Sequence, residues 1–545
     1  MRCNGVLKGW SNTFRFRKRL KALAAYGVAT EKIWRSINMP EKMTETQVAI
    51  IGGGITGATL ARELSKYRVD VSLLEKESAC GFGVTKACQG LVHGGIAYLA
   101  SRIVKFHGGM DFMEYLKQPY NLKERLGNLG REAYFSLAPV LGLEIHRPGR
   151  VMLAENQADL DMVKRIKEMA DFQGIQGIKV LDRKALVERE PLVNEKYIGG
   201  LYDPNEAVIL PTDWTFAMAD HAAKNGVHIF KETLVEDIEE KKSHYVVKTN
   251  RGNLKAQYVV NAAGLYADQI ARMVDVADFE VTGWKTQLLI LENPDFVHHV
   301  MCLVPHPQRG RLLIPTTHNS IVVAHSFEPM TYKEDRKTTR EKLDEVMTWA
   351  TEMVPDISTR HLLSSFAGYL MYNTKNPSDH LLESPRRGFI NAVVGAPGLG
   401  PAPAMARQIV DMLEEQGLEL VARSDFDPYL WREPRFIDLP SEEKNERLRA
   451  EPAYGHMVCR CMHVSEQEIR LAVRAGARTL DEVKFRTLAG MGRCQGGFCT
   501  SRVLKIMAEE LQVSPTEITK RGGGSYILKG ETRSFPERTL EASVG

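Results

Sequence analysis

Residues 46–67 read TQVAIIGGGITGATLARELSKY, and the order of residue types in that stretch decides the fold. TQVAII is short, apolar and β-branched, as a buried strand is; it runs straight into three glycines, after which apolar residues recur at helical spacing. Gly52, Gly54 and Gly57 have the G-x-G-x-x-G spacing. The first permits a tight turn, the second lets the backbone approach a pyrophosphate, and the third lets helix and strand pack closely. The unpaired N–H groups and positive dipole end of the following helix bind an anion without a lysine. The next strand, VDVSLLEKE (69–77), carries Glu75 eighteen positions after Gly57. A carboxylate there can accept hydrogen bonds from a ribose diol. A glycine-rich turn alone is common, but strand, turn, helix and acid in this order point to a bound dinucleotide.

Two later stretches repeat the strand–turn–helix order. AQYVVNAAGLYADQIA (256–271) sets a hydrophobic strand against the turn at Ala263 and Gly264. It resembles the segment by which FAD-dependent oxidoreductases close the nucleotide domain. GFINAVVGAPGLGPAPAMARQIVDML (388–413) holds Gly398, Leu399 and Gly400 in a glycine-rich turn before a helix. It is similar to the flavin-end segment of the same enzymes, where amides at a helix N-terminus stabilise negative charge on the reduced ring.

Four of the eight cysteines lie in MVCRCMHVSEQEI and GMGRCQGGFC: Cys459, Cys461, Cys494 and Cys499. The C-x-C pair, a long helical spacer and a C-x₄-C pair favour metal ligation over a disulfide framework in a chain without a secretory signal. Four thiolates hold either zinc or a two-iron two-sulfur cluster, and the C-x-C pair suits zinc poorly. Glycines 490, 492, 496 and 497 are expected to free backbone N–H groups for the cluster sulfides. The segment resembles the bacterioferritin-associated ferredoxin-like domain over about residues 455–510. TKRGGGSYIL (519–528) reads as a structural turn, or as successive glycine amides that could bind an anion.

The rest of the chain bounds the answer. Its 545 residues accommodate two to four domains, and 72 basic against 68 acidic residues leave a net charge of only +4. That balance gives no field for nucleic acid. No apolar run is long enough to span a membrane. Residues 1–42 are a basic extension whose first acid is Glu31; FRFRKRLKA (14–22) could dock on an anionic membrane or a partner, or be a solvated face.

With GLVHGGIAYL (90–99), LVEREPLV (186–193), GGLYDPNEAVILPTDWTFA (199–217), RGRLLIPTTH (309–318) and SFAGY (365–369), the chain resembles the flavin-dependent glycerol-3-phosphate dehydrogenases of the D-amino-acid-oxidase-like superfamily, anaerobic type. The resemblance implies an α/β fold in which a Rossmann-like FAD-binding domain is interleaved with an α+β substrate domain, plus a small, mostly helical C-terminal iron-sulfur domain. The expected boundaries are an oxidoreductase over 43–420, a linker over 421–454, the cluster domain over 455–510 and a tail over 511–545. Within the oxidoreductase, FAD segments fall at about 46–95, 205–270 and 360–415, and the substrate domain at about 96–204 and 271–359.

Expected cofactors are FAD and a 2Fe-2S cluster. Thr85 and Val235 join the glycine-turn residues as cofactor-binding positions. His93, followed by two glycines, is the candidate near the flavin ring. Arg309, Arg311 and His318 are expected to line the substrate pocket, where a guanidinium grips phosphate or carboxylate. Two departures stand out. After SFAG the family continues with a residue and then Arg-Pro, whereas this chain has Tyr369, Leu370 and Met371; and Cys88-Gln89 replaces the related Asn-Ser.

The expected activity is oxidation of glycerol-3-phosphate or a related hydroxy acid, with electrons leaving through the cluster to an acceptor protein or quinone-linked chain. The expected location is the cytoplasm or the inner face of the membrane. An amine, opine or D-amino-acid dehydrogenase, and a non-catalytic electron-transfer subunit of a larger complex, are the alternatives.

Overall fold

The structure is a computed structural model and describes residues 43–99, 114, 120–304 and 311–530. The basic extension 1–42 and Arg309 lie outside these residues. Two compact units divide the described chain: the larger runs to Arg432 apart from Glu77–Ala79, which cluster with the smaller unit that otherwise starts at Glu433.

The larger unit is organised on two sheets. In the first, five parallel strands stand in the order Phe389–Val393, Gly252–Asn261, β1 (Glu45–Ile51), β2 (Val71–Leu74) and His228–Phe230. Val48, Ala49, Ile50 and Ile51 of β1 are all buried, because a central parallel strand is covered on both faces. Helix α1 (Ile55–Leu64) follows β1 and packs against helices Pro211–Lys224 and Ala402–Glu415. The glycine turn, the Ala263–Gly264 turn and the Gly395–Gly400 loop all leave the carboxyl ends of adjacent parallel strands, where open α/β sheets bind ligands.

Among the described residues the second sheet has nine strands. Its central path runs Val281–Glu292, Ser320–Ala324, Leu312–Pro315, Val300–Leu303, Arg150–Ala154 and Gly199–Asp203. Alternation along these strands separates two faces. Val151, Leu153, Leu313 and Val323 point into a core with Trp349 and Met353 of helix Arg340–Met353. Leu288, Ile314, Val322 and Ala324 point the other way, toward Leu91.

Three expected boundaries move. Strand Leu362–Asn373, expected in a nucleotide segment, pairs antiparallel with Val281–Glu292 and belongs to the second sheet. The expected linker is structured from Glu433: Phe436, Leu439 and Tyr454 form a small core, and the Phe436 N–H donates to Glu468 Oε1 at 3.1 Å. The smaller unit also continues past residue 510. Ile518 is buried in its core, Lys520 pairs with Asp481, and the 519–526 segment closes as a turn in which Lys520 N–H donates to Ser525 O at 2.8 Å.

Candidate active site and cysteine centre

Each glycine of the first turn meets a different demand. Gly52 has φ +106°, and a Cβ there would lie 2.5 Å from Ala262 O, so only glycine lets the first and second turns touch. At Gly57 a Cβ would lie 1.9 Å from Gly52 O. Gly54 differs: its nearest neighbour would be Thr85 Oγ1 at 3.4 Å, so nothing in the protein demands its small size. Helix α1 starts there with no side-chain cap and no acid in its first turn. Gly264, φ +57°, likewise borders open space. These are the features of a cradle left for an anionic ligand.

Glu75 Oε2 accepts from the Gly53 N–H at 2.8 Å, and Thr85 Oγ1 accepts from the Ile55 N–H at 3.2 Å. Both therefore brace the glycine turn. Val235 starts strand Val235–Glu240 and buries its side chain in the sheet core, so its backbone is what it can offer a nucleotide. A buried pair not legible in the sequence ties the end of strand Gly252–Asn261 to the middle of its neighbour Phe389–Val393: Asn261 Nδ2 donates to Asn391 Oδ1 at 2.9 Å.

The flavin-end loop is held from helix Leu122–Leu141. Tyr134, fully buried, donates its hydroxyl to Leu399 O at 2.9 Å, and a Cβ at Gly130 would lie 2.0 Å from Gly400 O. Beside Gly400 lie His93 and Tyr98: a Cβ on Gly400 would sit 3.5 Å from the Tyr98 hydroxyl and 3.9 Å from His93 N. The Tyr98 hydroxyl is buried and, among the described residues, has no hydrogen-bond partner. Burial, then Glu206 and Glu124, raise its pKa, so it stays protonated and can donate to a ligand at the loop.

His93 is placed by strand register. Leu91 and Val92 pair antiparallel with Val208 and Ala207, which brings the next residues, His93 and Glu206, face to face. His93 Nδ1 lies 2.8 Å from Glu206 Oε1, and Arg150 pairs with Glu206 Oε2 at 2.8 Å. Glu206 and Arg150 are buried. Burial alone would raise the Glu206 carboxyl, but Arg150, His93 and Arg131 outweigh it and hold the group below the ordinary glutamate range. His93 Nδ1 lies between Glu206 Oε1 at 2.8 Å and Arg150 Nη2 at 3.1 Å; the shorter contact, to an ionised carboxylate, makes Nδ1–H the donor and leaves Nε2 as the basic nitrogen.

The remaining pocket residues do not join this cluster. Arg311 shares the parity of Leu313, pairs with Glu352 at 3.1 Å and is turned to the helix-covered face. His318 lies in the hairpin turn beyond strand Leu312–Pro315, its N–H donating to Thr316 Oγ1 at 3.3 Å. Strand Leu312–Pro315 therefore separates the two by about 13 Å of chain, at ~3.3 Å per residue. Leu370, at the family's arginine position, shares a face with Gly368, whose Cβ would lie 2.5 Å from Ala87 O.

In the smaller unit the four thiols contact in the order Cys499, Cys459, Cys461, Cys494, with 3.8 Å between the Sγ atoms of Cys459 and Cys461. Among the described residues no three donors converge on one single-ion position. Burial, then neighbouring thiols, push Cys461 up to about 11 and Cys499 up to about 12, a cost that a bound metal centre removes. The N–H groups of Phe498 and Gly496 point at Cys494 and lower its pKa. Gly497 does otherwise than expected: its N–H is spent on Cys494 O at 2.9 Å, closing the turn. Gly492 makes room for a ligand, since a Cβ there would lie 2.6 Å from Cys461 Sγ. Gly492→Ala is accordingly expected to fold yet hold less cluster, read as visible absorbance per chain against the parent.

A dinucleotide cradle at parallel strand ends, a histidine–carboxylate pair beside its third turn, and a separate four-thiol centre define a flavin and iron–sulfur oxidoreductase. Residues 47–412 match the family of FAD dependent oxidoreductases, and 457–509 match the BFD-like [2Fe-2S] binding domain. The chain belongs to that FAD dependent oxidoreductase family. It is 34% identical over 495 residues to a glycerol 3-phosphate dehydrogenase of Caloramator mitchellensis, covering 89% of this chain and 99% of that one. Its fold matches the dithionite-reduced L-α-glycerophosphate oxidase of Mycoplasma pneumoniae with FAD bound (TM-score 0.64, 24% identity, 72% of this chain and 100% of that one). A glycerol-3-phosphate dehydrogenase from Bacillus halodurans complexed with FAD also matches (TM-score 0.61, 18% identity, 89% and 93%). No helix among the described residues is long and apolar enough to cross a membrane.

Proposed function

We propose that the chain oxidises glycerol-3-phosphate, or a closely related small hydroxy acid, and passes the electrons through its cysteine centre to an external protein or quinone-linked acceptor in the cytoplasm or at the inner membrane face. The observation that carries this reading is His93, held by Glu206 and Arg150 beside the Gly398–Gly400 turn. The 34% identity to a glycerol 3-phosphate dehydrogenase over nearly its whole length supports the substrate class.

Gly52–Gly57, Ala263–Gly264 and Gly398–Gly400 would hold FAD, and Cys459, Cys461, Cys494 and Cys499 the cluster. When bound, FAD supplies a two-electron acceptor and the cluster a one-electron outlet. His93 Nε2 takes the proton from the substrate hydroxyl. Glu206 holds the ring in the required tautomer and stabilises the imidazolium, while Arg150 keeps Glu206 ionised. Tyr98 donates a hydrogen bond at the loop and helps to exclude water.

His93→Ala is expected to slow substrate-driven flavin reduction by about 10²–10⁴-fold. Glu206→Gln acts on the same step but also leaves Arg150 buried and unpaired, which costs about 3–5 kcal/mol of stability. The double variant Glu206→Gln, Arg150→Met removes that cost, together with the 3.1 Å contact of Arg150 Nη2 on His93 Nδ1. The Glu206 carboxyl ionises below its unfolded value, so its stabilising contribution is present at neutral pH. It is lost as pH falls through the lowered value, and the acid-unfolding curve of the double variant should lack that component.

The test of the reaction class is anaerobic flavin bleaching with glycerol-3-phosphate, 2-hydroxy acids and secondary amines. Bleaching by the phosphate ester supports the proposal; bleaching by amines alone would transfer the assignment to amine oxidation. No bleaching by any compound would leave an electron-transfer subunit.

A further inference from the structure

We propose that the solvent-facing edge of the cysteine centre docks an acidic one-electron carrier protein, with Phe498 and the guanidinium groups of Arg460, Arg493 and Arg502 as the recognition elements. The inference rests on the reading that electrons leave through this centre, and it names the partner's chemistry and the surface it uses.

The centre has a closed side and an open one. Cys459 and Cys499 are buried in the core of the smaller unit, whereas Cys461 and Cys494 are exposed. The open side is rimmed by side chains that the ligand spacing places there. Arg460 stands between the first two cysteines and Arg493 directly precedes the third. Phe498 directly precedes the fourth, and the residue is 41% exposed although a phenyl group gains most when covered. The guanidinium of Arg460 lies 4.6 Å from the ring centroid and that of Arg502 4.7 Å, so the ring is clasped between two cations and still presents area to solvent.

The two segments that carry the cysteines bear charge of one sign. No Asp or Glu occurs between Glu451 and Glu466 or between Glu482 and Glu509, the two segments that carry all four cysteines. Carboxylates of the same unit are engaged elsewhere: Glu466, Glu509 and Glu510 pair with Arg470, and Glu510 also with Arg474. An aromatic anchor surrounded by arginine is the composition of an interface hot spot, and a one-sign rim steers a partner of opposite charge. A membrane surface fits less well, because one clasped ring offers little area for insertion into lipid. In each encounter one electron passes from the reduced centre to the oxidised carrier, which then leaves; no bond forms or breaks.

The experiment uses the full-length holoprotein, its cluster verified by visible absorption and reduced photochemically, so that the identity of the organic substrate plays no part. Oxidised flavodoxin serves as the acidic carrier and cytochrome c as the basic one. Calorimetry gives the Kd, and stopped flow gives the electron-transfer rate. Flavodoxin binding is expected to weaken about tenfold between about 20 and about 200 mM salt. Arg502→Glu should raise the Kd and lower the bimolecular rate about tenfold, with the cluster spectrum and midpoint potential unchanged. Phe498→Ala should weaken binding with no change in salt dependence.

Salt-independent binding, preference for cytochrome c, or an Arg502→Glu variant equal to the parent would overturn the proposal. So would a charge-reversal effect seen only in sedimentation with phosphatidylglycerol vesicles, which assigns the edge to a membrane, or one that follows a shifted potential, which makes the arginines counter-ions of the cluster. A failure of the underlying relay is seen separately, as a cluster that substrate-reduced flavin never reduces.

Discussion

Cys459→Ser should leave the flavin half of the molecule working while closing its outlet. The residue is 1% exposed and packs in one core with Val458, Ile469 and Val503, so a serine of nearly the same volume disturbs little packing. What it removes is a soft thiolate from the middle of the contact series that joins Cys499 to Cys461. The cluster's visible and EPR signals should disappear. Turnover with an external acceptor should fall by about a hundredfold or more, some 2.7 kcal/mol on the scale of ~1.36 kcal/mol per decade. Anaerobic reduction of the flavin by substrate should stay within a factor of about two of the parent, since no ligand of the centre lies in the unit that holds His93. FAD content and the thermal transition of the larger unit separate loss of the outlet from misfolding. If a folded, FAD-loaded variant also lost flavin reduction, the two centres would not act in sequence.

The parts of this architecture that sequence revealed are those whose demands are local. The spacing of Gly52 and Gly57 answers to clashes within a few residues or with a neighbouring turn, and the cysteine spacing to the reach of a single ligand set. The proton-handling group could not be read so. Arg150 and Glu206 lie 57 and 113 positions from His93, and only the pairing of two-residue strands brings Glu206 opposite it. A signal existed: NEAV in GGLYDPNEAVILPTDWTFA places an acid just before a short apolar pair, but nothing local names its partner. The placing of Arg311 was hidden for the complementary reason. Its place just before strand Leu312–Pro315 was legible, yet which face of the sheet the helix Arg340–Met353 covers is a tertiary fact, and that face is the one it takes. Strand Leu362–Asn373 was drawn to the wrong sheet because its partner, Val281–Glu292, is distant in sequence, while the glycine turn it precedes is near.

Gly54→Val should yield a folded protein without FAD, and its comparison with Gly57→Ala separates a ligand's space from the protein's own. At Gly54 the backbone is extended, φ −67° and ψ −179°, a conformation open to any residue, and the nearest atom to a new Cβ is Thr85 Oγ1 at 3.4 Å. The apoprotein should therefore keep its stability to within about 1 kcal/mol. The added methyl groups instead enter the space beside the uncapped start of α1, where the backbone must approach the pyrophosphate. FAD affinity should drop by about a thousandfold, or some 4 kcal/mol, enough to purify the protein colourless. At Gly57 the Cβ would stand 1.9 Å from Gly52 O, so the turn itself must shift. Gly57→Ala should destabilise the apoprotein by about 1–3 kcal/mol before any cofactor is considered. Flavin absorbance per chain and the melting temperature of the apo forms give both numbers. A yellow Gly54→Val protein would move the nucleotide away from this turn, and a Gly54→Val apoprotein as unstable as Gly57→Ala would make Gly54 a packing glycine like its neighbour.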